Sequence, residues 1–175
     1  LERVGEHINS HGQRLMQLAR PGPDHVSPND LHAIVRDVVS MLRGAGKLRR
    51  LELLTTVGEG LEVTVNRTRI EQILVNLIVN AVDAIGDGEV GTIAIDVHPT
   101  PDGKRVVCRV TDSGCGIPSD QLDKIFQPFF TTKAEDRGTG LGLPVAREIV
   151  QSYGGNLQVT SQVGVGTTFT FDLPR

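Results

Sequence analysis

EQILVNLIVNAVDA, residues Glu71–Ala84, is the stretch from which the rest of the chain can be read. Ile70, Ile73, Leu74, Leu77, Ile78, Ala81, Val82 and Ile85 recur at helical spacing and form one apolar stripe. Gln72, Asn76, Asn80 and Asp83 lie off that stripe. Asn76 and Asn80 are one helical turn apart, which stacks their amides on a single face. Asn is a poor helix-interior residue because its side chain competes for backbone hydrogen bonds. Two incidental amides on a polar outer face would be the ordinary explanation. Two in register beside a buried stripe point instead to something that pairs with them.

The 175 residues suit one ordinary domain with an appendage. A net charge of −3 leaves no basic footprint, so nucleic acid is not an expected partner. No apolar run approaches the length needed to span a bilayer, and no signal-peptide pattern opens the chain. Cys108 and Cys115 form no CxxC pair and have no His cluster nearby, which argues against zinc and for reduced thiols in a cytoplasmic protein. The 20 glycines cluster after residue 86, where backbone must approach something that side chains would obstruct.

Leu1, Val4, Ile8, His11, Leu15 and Leu18 follow steps of three and four, the seam of a helix packed lengthwise in a bundle. Pro21-Gly22-Pro23 breaks it and starts a linker to Asn29. Ser27-Pro28-Asn29-Asp30 offers an N-cap, a Pro at the first helical position and an acidic N3. The helix so started buries Leu31, Ile34, Val35, Val38, Val39 and Leu42 and ends at Gly44. Leu51–Val57 and Leu61–Val65 read as a hairpin around Gly58-Glu59-Gly60, and Asn66 caps the long helix. Gly86–Gly91 matches GxGxxG, but it follows a helix and precedes a strand, the reverse of a dinucleotide fold, so it is a turn. Thr92–His98 and Arg105–Thr111 alternate as an antiparallel pair.

The second of these strands runs into Asp112-Ser113-Gly114-Cys115-Gly116-Ile117, a carboxylate at a strand end followed by spaced glycines. Phe126, Phe129 and Phe130 then read as hydrophobic anchors of a loop tipped by Thr131-Thr132-Lys133. Asp136-Arg137-Gly138-Thr139-Gly140-Leu141-Gly142-Leu143 leads into a helix with Pro144 in its first turn and a stripe of Val145, Ala146, Ile149, Val150 and Tyr153. Glycine-rich backbone at a helix N-terminus suits phosphate, because free amides and the helix dipole both favour negative charge. Asn156–Gln162 and Thr167–Leu173 close the chain as a hairpin. No GxxxxGK[ST] run is present, so nucleotide binding here requires a geometry other than a P-loop.

NLIVNA, DSGCGI, FFTTK with GTGLGL, and GVGTTF stand in this order over roughly a hundred residues. Together they resemble the catalytic, ATP-binding (Bergerat-fold) domain of sensor histidine kinases, within the gyrase/Hsp90/MutL-like ATPase superfamily. The FFTTK form is similar to the nitrogen-regulator and dicarboxylate-sensor branch. The resemblance covers about Leu31 to Leu173 and implies an α/β (α+β) two-layer sandwich, a mixed, mostly antiparallel sheet on three helices. Residues 1–20 resemble the end of the second dimerisation helix, 21–29 a linker and 30–175 the catalytic domain. It further implies ATP between the opening helix and a Phe126–Gly140 lid, with Asn80 holding Mg²⁺. Asn76 falls where the ATPase relatives carry a water-activating Glu. Asp112 would accept from the adenine amino group, Gly114 and Gly116 would give the base room beside Ile117, and Thr167 would support the adenine side. Thr131, Thr132, Gly138, Thr139, Gly140, Leu141, Gly142 and Leu143 would close over the phosphates.

Two departures from the family pattern stand out. Asp83 occupies a position where many members carry Lys or Arg, which leaves Lys133 and Arg137 as phosphate partners or as solvated lid charges. His7, His11, His25, His32 and His98 all lack the acceptor context, so the phospho-acceptor histidine is expected upstream of Leu1. The implied partners are that acceptor domain and a response-regulator receiver domain, in a homodimeric parent protein. A same-superfamily ATPase, an anti-sigma-type serine kinase and a non-catalytic nucleotide-binding module are the alternatives.

Overall fold

The computed structural model describes residues 25–86, 88–133 and 138–175. The Leu1–Leu18 seam, the start of the linker and Arg137 lie outside these residues. Among the described residues seven strands and three helices follow one another: β1 (Ser27–Asp30), α1 (Leu31–Gly44), β2 (Leu51–Val57), β3 (Glu62–Val65), α2 (Arg67–Ile85), β4 (Gly91–Pro99), β5 (Arg105–Asp112), α3 (Gly142–Ser152), β6 (Leu157–Gln162) and β7 (Gly166–Pro174). The main sheet runs β2-β4-β5-β7-β6, antiparallel except for the parallel β2–β4 edge pair. This is the mixed, mostly antiparallel sheet on three helices that the resemblance implies.

Each layer follows from its residue pattern. On β4, β5 and β7, alternate residues Ile93, Ile95, Val97, Val106, Cys108, Val110, Phe169, Phe171 and Leu173 turn to one face and are buried against the helices. Leu31, Ile34, Val35, Val38, Val39 and Leu42 of α1 meet them, with Ile70, Ile73, Leu74, Leu77, Ile78 and Ala81 of α2. Asn66 caps α2 through Arg69 N–H, and the Tyr153 hydroxyl after α3 accepts the Asn66 N–H at 2.9 Å. One tyrosine thus ties the start of α2 to the end of α3.

Two expectations fail. Leu51–Val57 and Leu61–Val65 do not form a hairpin: β3 pairs with β1 and β2 with β4. The Gly58 N–H donates to Val97 O at 3.1 Å, so β2 continues along β4 before the chain leaves for the smaller sheet. There Leu61, Val63 and Val65 are buried, which a solvent-facing hairpin partner of the edge strand would not achieve. Ser27–Asn29 belongs to that smaller sheet, so it is neither linker nor helix start. Asp30 is the N-cap of α1 and accepts the His32 N–H at 2.9 Å.

Candidate nucleotide-binding site

The alternation that buries Val106, Cys108 and Val110 brings the next inward position of β5 to Asp112. Register then lays one row across four strands: Ile93 opposite Asp112, Asp112 opposite Thr167, and Thr167 opposite Ser161. Asp112 is 6 % exposed and Thr167 3 %, the buried polar end of an apolar face. Asp112 Oδ1 accepts the N–H of Gly114 at 2.8 Å and of Thr167 at 3.3 Å. Burial pushes this carboxyl above the usual aspartate value, and the two N–H groups offset only part of that. Oδ2 has no partner among the described residues, so it is the free acceptor of the row.

The loop after Asp112 is held by backbone. Cys115 N–H donates to Ala84 O at the end of α2, Gly164 N–H donates to Cys115 O, and Ile117 N–H donates to Ser161 Oγ at 2.8 Å. A Cβ on Gly114 would lie 2.6 Å from the Ala84 carbonyl carbon, and one on Gly116 2.2 Å from Gln162 O. These glycines therefore permit close packing of the protein's own backbone.

The polar face of α2 is met by three other segments. Asn76 Nδ2 donates to Gly142 O at 3.0 Å, fastening α2 to the start of α3. Lys133 Nζ donates to Asn80 Oδ1 at 3.0 Å and pairs with Asp83 at 2.5 Å. Gly114 packs on Ala84. Leu141 at the N-cap of α3 contributes no side-chain acceptor; Pro144 has no N–H and Val145 N–H donates to Leu141 O, which leaves the N–H groups of Gly142 and Leu143 without a side-chain cap. Asn80 Oδ1 and the Asp83 carboxylate share a cation, the Lys133 ammonium. The pair thus has the chemistry of a hard-cation donor set with few protein ligands. Among the described residues no three His, Cys, Asp or Glu side chains cluster as an all-protein metal site.

The remaining lid residues divide. Phe126 and Phe130 pack against the core, with Arg147 4.9 Å over the Phe126 ring, whereas Phe129 is 75 % exposed at φ 66 and is not among the described residues packed on the core. Phe129 N–H donates to Gly140 O, and a Cβ on Gly140 would lie 2.4 Å from the Phe129 carbonyl carbon. Gly138 similarly sits against Thr131 Oγ1. Thr131 accepts from Lys133 N–H and Thr139 from Leu141 N–H, while Thr132 is exposed and Leu141 and Leu143 are half-buried. The sequence reading missed Ser161 and the Tyr153 hydroxyl. Ser161 follows Leu157 and Val159 at period two, so an inward-facing hydroxyl at the end of that run was the available signal. A groove of about 540 Å³ is lined by Thr92, Thr111 and Thr168 together with Asp112, Ser161 and Thr167 of this row.

Residues 65–175 match the family of histidine kinase-, DNA gyrase B-, and HSP90-like ATPases. The chain belongs to this family. Its relatives include the sensor histidine kinase ZraS of Escherichia coli (strain K12), 39 % identical over 99 % of this chain and 36 % of ZraS. The chain spans about a third of the length of the curated relatives it matches. Full-length ShkA in complex with AMPPNP superposes with a TM-score of 0.80 at 26 % identity, over 98 % of this chain and 36 % of that one. Histidine kinase ThkA in complex with response regulator TrrA superposes with a TM-score of 0.76 at 27 % identity, over 99 % and 48 %. Within the family, the chain is an ATP-binding domain of the histidine-kinase kind.

Proposed function

We propose that this chain binds Mg²⁺–ATP and transfers its γ-phosphoryl group to a histidine on a helical dimerisation domain, its own or a partner protomer's. The observation that carries this reading is the convergence on one face of α2. The Asp112 loop packs at Ala84, Lys133 binds Asn80 and Asp83, and the uncapped start of α3 joins Asn76. A carboxylate for a base, a cation for phosphate charge and free helix amides thus flank one apolar-backed shelf. Phosphoryl transfer asks for this kind of positioning and charge neutralisation rather than covalent help.

In this reading Asp112 Oδ2 accepts from the adenine amino group, and Thr167 supports it. Ile117 and Phe126 line the base side. Thr131, Thr132, Lys133, Arg137 and the Gly138–Leu143 run enclose the phosphates, where the first-turn amides of α3 receive negative charge. Asn80, with Asp83 beside it, would hold Mg²⁺, which when bound neutralises phosphate charge. Asn76 is an amide already donating to Gly142 O and offers no base for water, which favours transfer over hydrolysis. AMPPNP in ShkA and TrrA on ThkA support an adenine nucleotide and a receiver-domain partner for the parent protein. That parent is a homodimer with this domain in the cytoplasm.

The test is radiolabelled ATP added to the full-length kinase. Acid-labile, base-stable label on protein is expected. Steady ATP loss from unlabelled protein would mean an ATPase, base-labile label a serine kinase, and nucleotide binding without turnover a regulatory module.

A further inference from the structure

We propose that Ser161 is a specificity-determining residue: it fixes the direction of the Thr167 hydroxyl, so that Asp112 and Thr167 together present only acceptors to a purine. The proposal rests on the adenine reading of Asp112 and adds a residue outside the four motifs. Three contacts converge on the Ser161 hydroxyl. Ile117 N–H reaches it at 2.8 Å, Gly166 O lies at 3.0 Å and Thr167 Oγ1 at 2.9 Å. A hydroxyl has one proton and two lone pairs. The amide of Ile117 can only donate and the carbonyl of Gly166 can only accept. All three contacts are made at once in a single arrangement: Ser161 donates to Gly166 O and accepts from both Ile117 N–H and Thr167 O–H.

The proton of Thr167 is thereby committed toward Ser161, away from Asp112. Asp112 stands directly across from Thr167 in the β5–β7 register, and its Oδ1 is held by the Gly114 and Thr167 N–H groups. The lone pairs of Asp112 Oδ2 and Thr167 Oγ1 are what remain for a ligand, directly or through one water. At position 6, where Asp112 Oδ2 faces the base, a 6-amino purine supplies a donor whereas a 6-oxo purine presents another acceptor. Removing the Ser161 hydroxyl releases the Thr167 proton, and Thr167 then serves either base. Burial sharpens the discrimination, because an acceptor facing an acceptor without water leaves both unpaired.

The experiment compares ATP and inosine triphosphate, by calorimetric titration, on wild type, Ser161→Ala, Ser161→Thr, Thr167→Val and the Ser161→Ala/Thr167→Val double variant. The expected result is a fall in the ATP-over-inosine preference of roughly five- to tenfold in Ser161→Ala, the worth of one hydrogen bond. Ser161→Thr keeps the oxygen and retains the preference. Thr167→Val lowers ATP affinity, and adding Ser161→Ala to it leaves the preference unchanged, because the hydroxyl being directed is gone. Equal loss of both nucleotides in Ser161→Ala would make Ser161 a loop fastener only and overturn the proposal. If Ser161→Ala does not fold, an unchanged preference in Thr167→Val overturns it as well. A wild type that binds the two nucleotides equally would overturn the adenine reading of Asp112, and this inference with it.

Discussion

Replacing Asp112 by Asn separates what this carboxylate does for the fold from what it does for a ligand, because the two effects have opposite signs. Asn keeps an oxygen where Oδ1 accepts from Gly114 and Thr167, so both backbone contacts survive. It removes a charge that burial disfavours. The folded-state pKa is raised above its value in the unfolded chain, so the native protein holds a proton that the unfolded chain releases. Wild-type stability therefore declines as pH rises from about that value through the raised one, and stays lower above it. Asp112→Asn lacks this decline, so its melting temperature near pH 7 equals or exceeds wild type, and the gain disappears in acid. For ATP the change is a loss. An NH₂ group replaces Oδ2 and faces the adenine amino group, removing a charge-assisted bond worth about 1.5–3 kcal/mol, or roughly 10- to 150-fold in Kd. Thermal denaturation at pH 4 and pH 7, with ATP calorimetry at pH 7, reads both effects. Unchanged ATP affinity would refute the placement of Oδ2 at the base. A melting temperature several degrees below wild type at pH 7 would refute the account of its burial.

Other perturbations test the site's surroundings. Gly116→Ala puts a Cβ 2.2 Å from Gln162 O at φ +72 and is expected to cost about 2–4 kcal/mol by denaturant unfolding. Gly60→Ala, at φ +65 with open space around it, should cost only about 1–2 kcal/mol. Lys133→Met removes the cation from Asn80 and Asp83. Phosphotransfer by the full-length kinase is expected to fall strongly, while stability changes by less than about 1 kcal/mol, since the pair is 31 % and 38 % exposed. Burial drives the Cys108 thiol up to about 12 while Cys115 is exposed, so a thiol reagent should count one cysteine in the native protein and two in denaturant.

Much of this architecture follows from local pattern. The stripes of α1, α2 and α3, the Asn66 cap and the β4–β5 and β6–β7 hairpins rest on periods of 3.6 and 2, which any window of the chain displays. The order of the four motifs was equally legible, and the family match follows it. Pairing across distance was not. Alternation says that Val63 and Val65 share a face, but not that β3 seeks β1 while β2 runs parallel to β4, because strand partners are chosen by burial of the whole sheet.

The same division holds in the site that opened with Glu71–Ala84. The sequence by itself determined that Asn76 and Asn80 stack on one face of a helix whose other face is buried, since helical geometry alone dictates it. Only the tertiary structure decided what they hold. Asn76 takes the Gly142 carbonyl and Asn80 the Lys133 ammonium, partners 66 and 53 residues away. The Ser161–Thr167–Asp112 row arises the same way. It exists only because the registers of β5, β6 and β7 align three side chains that no local window contains. Helix faces are local consequences of backbone period, whereas the direction of a hydroxyl or the partner of an amide is a property of strands and loops brought together by the core.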